Sequence, residues 1–160
     1  MQMIRCGIGY DVHRFAKGRK LILGGVEITH SHGLEGHSDA DVLSHAIADA
    51  LLGAVAAGDI GQHFPNTDQS IRGMSSIDIL RQVTALLAEN KARPINVDAT
   101  ILAEAPKIAP HIPAMRKVIA QAIGVTESRI GIKATTNEGL GAIGRSEGIA
   151  AMAVATVETE

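Results

Sequence analysis

Residues 149–157 form nine consecutive positions without a charge, and this run most constrains the fold. Extended backbone sends alternate side chains to opposite faces, so a strand of this kind is uncharged on both. Each face then needs a cover. Helices of the same chain can supply one, and something else must supply the other. The filling is also unusual. Tyr10, Phe15 and Phe64 are the only aromatic residues in 160, so the core must be built from Ala, Ile, Leu, Val and Met, with 17 glycines permitting close backbone approach. Such small-residue surfaces point to tight packing and to burial between subunits.

The rest of the chain reads as one unit over residues 1–160, without repeats or linkers. A first strand is expected at 4–10, and a hairpin at 21–23 and 26–28 around Gly24-Gly25. Ser38-Asp39-Ala40-Asp41 has capping-box spacing and opens a helix with Leu43, Ile47, Ala50, Leu51 and Ala54 on one stripe, stopped at Gly58. Residues 59–72 read as a polar loop. Ser75 and Asp78 repeat the capping signal for a helix to about Asn90. A strand at 95–102, a proline-constrained turn at 106–113, a helix at 114–123 ended by Gly124, a strand at 130–135 and a glycine-rich loop at 139–148 follow. Mixing strands and helices along the whole length gives an α/β (α+β) fold, a small mixed sheet with helices on one face.

Composition narrows the partners. Fifteen basic and 17 acidic residues leave a formal charge of −2, with no basic face for nucleic acid or an anionic membrane. No apolar run approaches the roughly 20 residues of a membrane helix, and no signal-peptide core precedes Asp11. Cys6 is the only cysteine. A reducing, cytoplasmic location is therefore expected.

Asp11-Val12-His13 follows the first strand, and the two-residue period puts Asp11 and His13 on one side. The pair alone reads equally as a strand-end ion pair. His45 adds a third donor one turn into a helix whose start is polar and anionic, an exposed end rather than a core face. One carboxylate and two imidazoles leave a fourth coordination position open, as in catalytic zinc sites. His37, just before the cap, could donate to a phosphate with help from free N–H groups of the helix N-terminus, or be a solvated loop histidine. Lys133-Ala134-Thr135-Thr136-Asn137-Glu138 ends a strand with groups suited to phosphate oxygens and, at Glu138, a hard cation; it could also be an ordinary strand-to-turn exit. Ala103-Glu104-Ala105-Pro106-Lys107-Ile108-Ala109 is a second rigid strand exit. His30, His32, His63 and His111 show no partner pattern.

In order, Gly9-Tyr10-Asp11-Val12-His13, His37-Ser38-Asp39-Ala40-Asp41-Val42 with His45, Asp49-Ala50-Leu51-Leu52-Gly53, Gly58-Asp59-Ile60-Gly61, Phe64-Pro65-Asn66-Thr67-Asp68, Ala105-Pro106-Lys107, Lys133-Ala134-Thr135-Thr136 and Gly144-Arg145-Ser146-Glu147-Gly148 resemble the 2-C-methyl-D-erythritol 2,4-cyclodiphosphate synthase family. The match runs from about Met3 to Val157. The resemblance implies zinc on Asp11, His13 and His45, and phosphate positioning by His37, with Ser38 beside it, and by Thr136. Asp59, Ile60 and Gly61 with Phe64, Pro65, Asn66, Thr67 and Asp68 would hold the methylerythritol phosphate end, near Asp11, Val12 and His13. Residues 103–109 and Thr135, Thr136, Asn137 and Glu138 would hold the cytidine diphosphate end, with Glu138 on a second metal, Mg²⁺ or Mn²⁺. It further implies a homotrimer with sheets facing the three-fold axis and active sites between subunits. The reaction implied is attack of a substrate's 2-phosphate on its own diphosphate, releasing CMP in non-mevalonate isoprenoid precursor synthesis.

Some positions depart from the usual pattern. Asn66 stands where many members have Asp, and Asn137 replaces a common Thr. Ala142 stands where an aromatic often sits near Arg145 and Glu147 in the central channel, reducing the apolar contact for the isoprenoid diphosphate that some members bind there. From residue types alone, two other functions fit the same site: a zinc-dependent phosphoesterase acting on a nucleoside diphosphate compound, and a non-catalytic trimeric nucleotide sensor.

Overall fold

The computed structural model describes residues 2–160. Fifteen residues, Met3–Lys17, form β1, which lies antiparallel to β7 (Gly148–Thr159) over nearly its whole length, pairing Asp11 with Ala151 and His13 with Ile149. The first strand therefore continues well past Tyr10, because β7 supplies a ladder partner for every residue to Arg14. Beyond it the chain forms the expected hairpin, β2 (Leu21–Leu23) and β3 (Val26–Ile28), and then β4 (His32–Leu34), a short strand with no sequence signal that pairs antiparallel with the end of β1. β7 also pairs antiparallel with β5 (Ala92–Leu102), which pairs parallel with β6 (Ile130–Thr135). The main sheet has the order β4-β1-β7-β5-β6, a mixed sheet as expected.

Three long helices cover one face. α1 (Val42–Ala54) lies on β1 and β7, and it is buried on almost every side rather than along one stripe. A helix apolar all round is an interior helix, and α3 (Ser76–Glu89) packs outside it. α1 is capped by Asp41, not Ser38, and ends at Ala54 rather than Gly58. The polar stretch 59–72 is not a plain loop: it contains α2 (Ile60–His63) and a 3₁₀ turn at Gln69–Ile71. Ser75 caps α3 as its spacing predicts. α4 (Ile112–Ile123) begins with proline in its first turn and ends at Gly124, whose φ of 75° closes it in the left-handed region. One helical turn, α5 (Gly141–Gly144), interrupts the glycine-rich loop.

Side-chain parity divides the sheet. Odd residues of β1 face α1, and even ones (Ile4, Ile8, Tyr10 and Val12) face away and are exposed, beside Met152 and Val154 of β7. The helix-facing residues of β7, Ala151, Ala153, Ala155 and Val157, are buried. Among the described residues, then, the uncharged strand receives only one of its two covers. The bare face is apolar over β1 and β7, and polar toward β5 and β6, where Lys133 pairs with Asp98. As composition requires, the largest fully buried side chains are all Leu, Ile and Met.

Gly7 and Gly9 set the depth at which α1 sits. A Cβ on Gly7 would lie 2.0 Å from the Ala50 carbonyl oxygen, and one on Gly9 would lie 1.9 Å from that of Ala46. Nothing flexible can yield there, since both obstacles are helix backbone. Gly9→Ala should destabilise the protein by about 3 kcal/mol or more, the upper range of overpacking costs, as read by chemical denaturation. Gly18→Ala, whose Cβ would meet nothing within 4 Å, controls for glycine loss without that clash, although its φ of 73° carries its own smaller penalty.

Candidate metal centre and adjoining pocket

Asp11 and His13 share the helix-facing parity of β1, and the close seat of α1 brings His45 against them. Asp41 accepts the His45 backbone N–H at 3.0 Å through its own carbonyl, placing that histidine in the first turn. The three facing atoms form a small triangle: Asp11 Oδ2 to His13 Nε2 is 2.9 Å, Asp11 Oδ2 to His45 Nδ1 is 3.0 Å, and His13 Nε2 to His45 Nδ1 is 3.2 Å. Ligands about 2.0–2.1 Å from a tetrahedral cation stand roughly 3.3 Å apart. The triangle is thus close to one face of a coordination tetrahedron, slightly contracted. Among the described residues it is the only group of three His, Cys, Asp or Glu that could hold a metal.

His13 Nδ1 lies 2.5 Å from the Glu35 carbonyl oxygen. A carbonyl only accepts, so His13 carries its proton on Nδ1 and presents a lone pair on Nε2 to the centre. Burial works to raise the Asp11 pKa, but the His13 and His45 imidazoles beside it outweigh this and hold the carboxylate well below its usual range. Burial works to lower His13, and the Asp11 carboxylate reverses this and raises it. One expectation is corrected: the start of α1 is not an exposed end. His45 is 7% exposed. Nor is it an open anion site, because Asp41 is fully buried there and accepts from Ser44 N–H (3.1 Å), Ser44 Oγ–H (2.7 Å), Gly24 N–H (2.9 Å) and Gly25 N–H (2.8 Å). That carboxylate ties the hairpin to the helix.

The centre opens into a cavity of about 210 Å³ lined by Asp11, His13, His45, His37, Ser38, Ile60, Gly61, Phe64 and Asn66. A larger neighbouring space of about 760 Å³ shares His37, Ser38 and Asn66 and adds Asp68 and Arg72. Most of the residues expected on the methylerythritol side therefore gather around the metal centre. Asp59 uses its carboxylate to cap α2 through Gln62 N–H at 3.0 Å. Pro65 and Thr67 are exposed and line neither space. Val12 points to the opposite face, into a space of about 590 Å³ with Phe15, Ala142, Ile143 and Glu147. Arg145 is bonded to Glu147 there, at 2.7 Å.

The second expected group lies elsewhere. The exits of the parallel strands β5 and β6 are adjacent, Leu102 pairing with Thr135. Glu104 Oε1 accepts from Asn137 N–H at 2.8 Å, anchoring the loop in which Thr136 Oγ donates to Glu138 at 3.2 Å. Lys107, Thr135, Thr136 and Glu138 are exposed, whereas the Ala103 and Ile108 side chains belong to the core. None of residues 103–109 or 135–138 lines the cavity of the metal centre within the same chain.

Several supporting residues escape sequence reading. Arg19 donates to the carbonyls of Gly36 (2.6 Å) and Ser38 (2.7 Å), holding the His37 segment. Asp49 accepts the Ile60 N–H at 2.8 Å, fixing α2 to α1. Asp49 stood inside a motif without a function attached, and Arg19 had no local signal at all.

Removing His45 tests the centre. His45→Ala should abolish stoichiometric metal binding and cost about 1–3 kcal/mol of stability, from the cavity and the hydrogen bonds lost at the ring. Metal analysis and denaturation in chelator read the two effects separately; full occupancy in the variant contradicts the assignment. Protons compete with the metal for His13, whose pKa is raised. Affinity should therefore begin to fall at a pH above the ordinary histidine range and drop further on acidification.

A profile of the YgbB family matches residues 4–158. A protein of Alkaliphilus metalliredigens named 2-C-methyl-D-erythritol 2,4-cyclodiphosphate synthase is 59% identical, the alignment covering 96% of this chain and 97% of that one. Among solved structures, the bifunctional IspDF of Campylobacter jejuni superposes with a TM-score of 0.95 at 40% identity, covering all of this chain and 43% of that chain. A CDP complex of IspF from Plasmodium falciparum gives a TM-score of 0.83 at 34% identity, covering 96% of this chain and 95% of that one. Matched from end to end in both sequence and fold, the chain belongs to the YgbB family, alongside proteins named 2-C-methyl-D-erythritol 2,4-cyclodiphosphate synthase.

Proposed function

We propose that this chain converts 4-diphosphocytidyl-2-C-methyl-D-erythritol 2-phosphate into 2-C-methyl-D-erythritol 2,4-cyclodiphosphate with release of CMP, as a lyase of non-mevalonate isoprenoid precursor synthesis. The observation that carries this reading is the opening of the Asp11, His13 and His45 triangle into the same cavity as His37, Ser38, Ile60, Gly61, Phe64 and Asn66. The donor set, one carboxylate and two imidazoles at tetrahedral spacing, suits zinc. Zinc there would supply positive charge to phosphate oxygens.

The remaining work falls to alignment and charge neutralisation. His37 and Ser38, at the junction of the two spaces, would hold a phosphate against the centre. Phe64 and the Asp59-Ile60-Gly61 turn would seat the methylerythritol. Thr136, with Lys107 and Glu138, would hold the cytidine diphosphate end, Glu138 bridging through Mg²⁺ or Mn²⁺. No protein nucleophile is required, since the attacking oxygen belongs to the substrate. Cys6, the single free and exposed thiol, sits apart from all of these groups and suits a reducing cytoplasm.

The nucleotide residues must then come from another copy. Their absence from the metal cavity of their own chain and the bare apolar face of β1 and β7 both support a homotrimer with sheets inward and a site shared by neighbours.

Two experiments test this reading. Turnover in water enriched in heavy oxygen should put no solvent oxygen into CMP or the cyclic product; stoichiometric incorporation would instead identify a zinc phosphoesterase. For the shared site, Asp11→Ala and Thr136→Ala are each expected to be severely impaired. Unfolded, mixed equally and refolded together, they should regain roughly a quarter of wild-type activity, because about three-quarters of random trimers are mixed and each has one intact interface in three. Mixed trimers no more active than their parents rule the shared site out.

A further inference from the structure

Ser76 opens α3 and is fully buried, outside every motif that points to chemistry. Its backbone N–H donates to Asp39 Oδ2 at 3.0 Å and its hydroxyl lies against Asp39 Oδ1. The same hydroxyl oxygen is 2.9 Å from His45 Nε2, the ring nitrogen turned away from the metal triangle. Ser38 Oγ, which accepts the Ala40 N–H at 3.1 Å, stands 3.2 Å from that nitrogen as well.

Counting donors fixes the direction of this chain. A carboxylate only accepts, so the Ser76 proton goes to Asp39. Ser76 Oγ then has only lone pairs to offer His45, so it accepts a hydrogen from Nε2. Asp11 Oδ2, 3.0 Å from Nδ1, competes for the imidazole hydrogen while no metal is bound, and Nδ1, also 3.2 Å from His13 Nε2, is the nitrogen that faces the metal position. We infer that Ser76 and Asp39 are positioning residues for the metal centre: they fix the tautomer and ring orientation of His45 before any ion arrives. Asp39 is itself held by the Asp41 N–H at 3.2 Å, so one short segment both caps α1 and orders its ligand. Groups that orient a metal-bound histidine through its outer nitrogen raise its basicity and stiffen the site, and their loss typically costs about 10–100-fold in affinity.

This inference rests on the metal reading of the triangle, and the test separates the two. Zinc affinity is measured by chelator competition for wild type, Ser76→Ala and Asp39→Ala. The His45 tautomer is read by nitrogen-detected imidazole NMR on the metal-free proteins, well above the ordinary histidine pKa. Wild type should bind zinc and show its hydrogen on Nε2. Ser76→Ala should bind about 10–100-fold more weakly and lose the tautomer preference. Asp39→Ala keeps the Ser76 hydroxyl but frees its proton to turn toward His45, so the preference should move to Nδ1–H, an effect that simple anchoring of α3 would not produce. Wild-type protein that binds no zinc overturns the metal reading and this inference with it. Zinc-binding wild type with its hydrogen on Nδ1, or folded variants with unchanged affinity and tautomer, overturns the inference alone. If Ser76→Ala fails to fold, the wild-type tautomer and Asp39→Ala decide.

Discussion

The contact on which everything else depends is the seating of α1 on β1 at Gly7 and Gly9. With no Cβ in the way, the helix backbone comes close enough that a methyl group would fall about 2 Å from the Ala46 and Ala50 carbonyls. Ala46, Ala50 and Ala54 form the matching small face of the helix. The closeness has a chemical consequence two residues farther along the strand. Asp11 and His13 continue the parity of Gly7 and Gly9, so the surface that accepts the helix becomes, without a break, the surface that meets His45. A larger residue at the glycines would lift the helix and open the triangle of donor atoms. Packing and chemistry are here one geometric requirement.

Around that contact, polar groups are arranged so that each ligand reaches the centre in a defined state. The Glu35 carbonyl settles the proton of His13, and Asp41 holds the helix start while taking four hydrogen bonds. A buried carboxylate is costly unless its lone pairs are filled, and burial with the nearby Asp39 charge still pushes the Asp41 pKa upward against those bonds. The strain of keeping it there is offset by what it joins: hairpin, helix and the loop carrying His37 meet at one residue. Arg19 completes the arrangement from the other side by holding the carbonyls of Gly36 and Ser38.

Much of this was legible in the sequence because it follows short-range rules. The two-residue spacing of Asp11 and His13, the Ser75 cap, the Gly124 stop and the hairpin at Gly24-Gly25 all depend on neighbours a few positions away. The misreadings have the opposite origin. β1 continues past Tyr10 because a strand over 130 residues later pairs with it as far as Arg14, and β4 pairs with its last three residues. His45 is buried because α3, joined by a separate loop, closes over the start of α1. Asp39 and Ser76 bond across 37 positions, a distance at which no spacing rule operates. The lack of charge in residues 149–157 calls for a second cover, and among the described residues none provides it, since Met152 and Val154 remain 43% and 46% exposed.

The division of the expected site follows from sheet order. The candidate metal ligands lie on β1 and α1, and the residues proposed for the nucleotide lie at the exits of β5 and β6, with β7 between. In the proposed shared site, association would bring the two groups together, and the apolar outer surface of β1 and β7 would give it its driving force. At the base of the account is a three-ligand metal centre built by the approach of helix to strand. X-ray absorption at the zinc edge of stoichiometrically loaded protein measures it directly. The expected result is a four-coordinate ion with ligands at about 2.0–2.2 Å: two imidazoles, one carboxylate oxygen and one light, exchangeable ligand. Sulfur in the first shell, which would have to come from Cys6, or a third imidazole, such as His37, would contradict it.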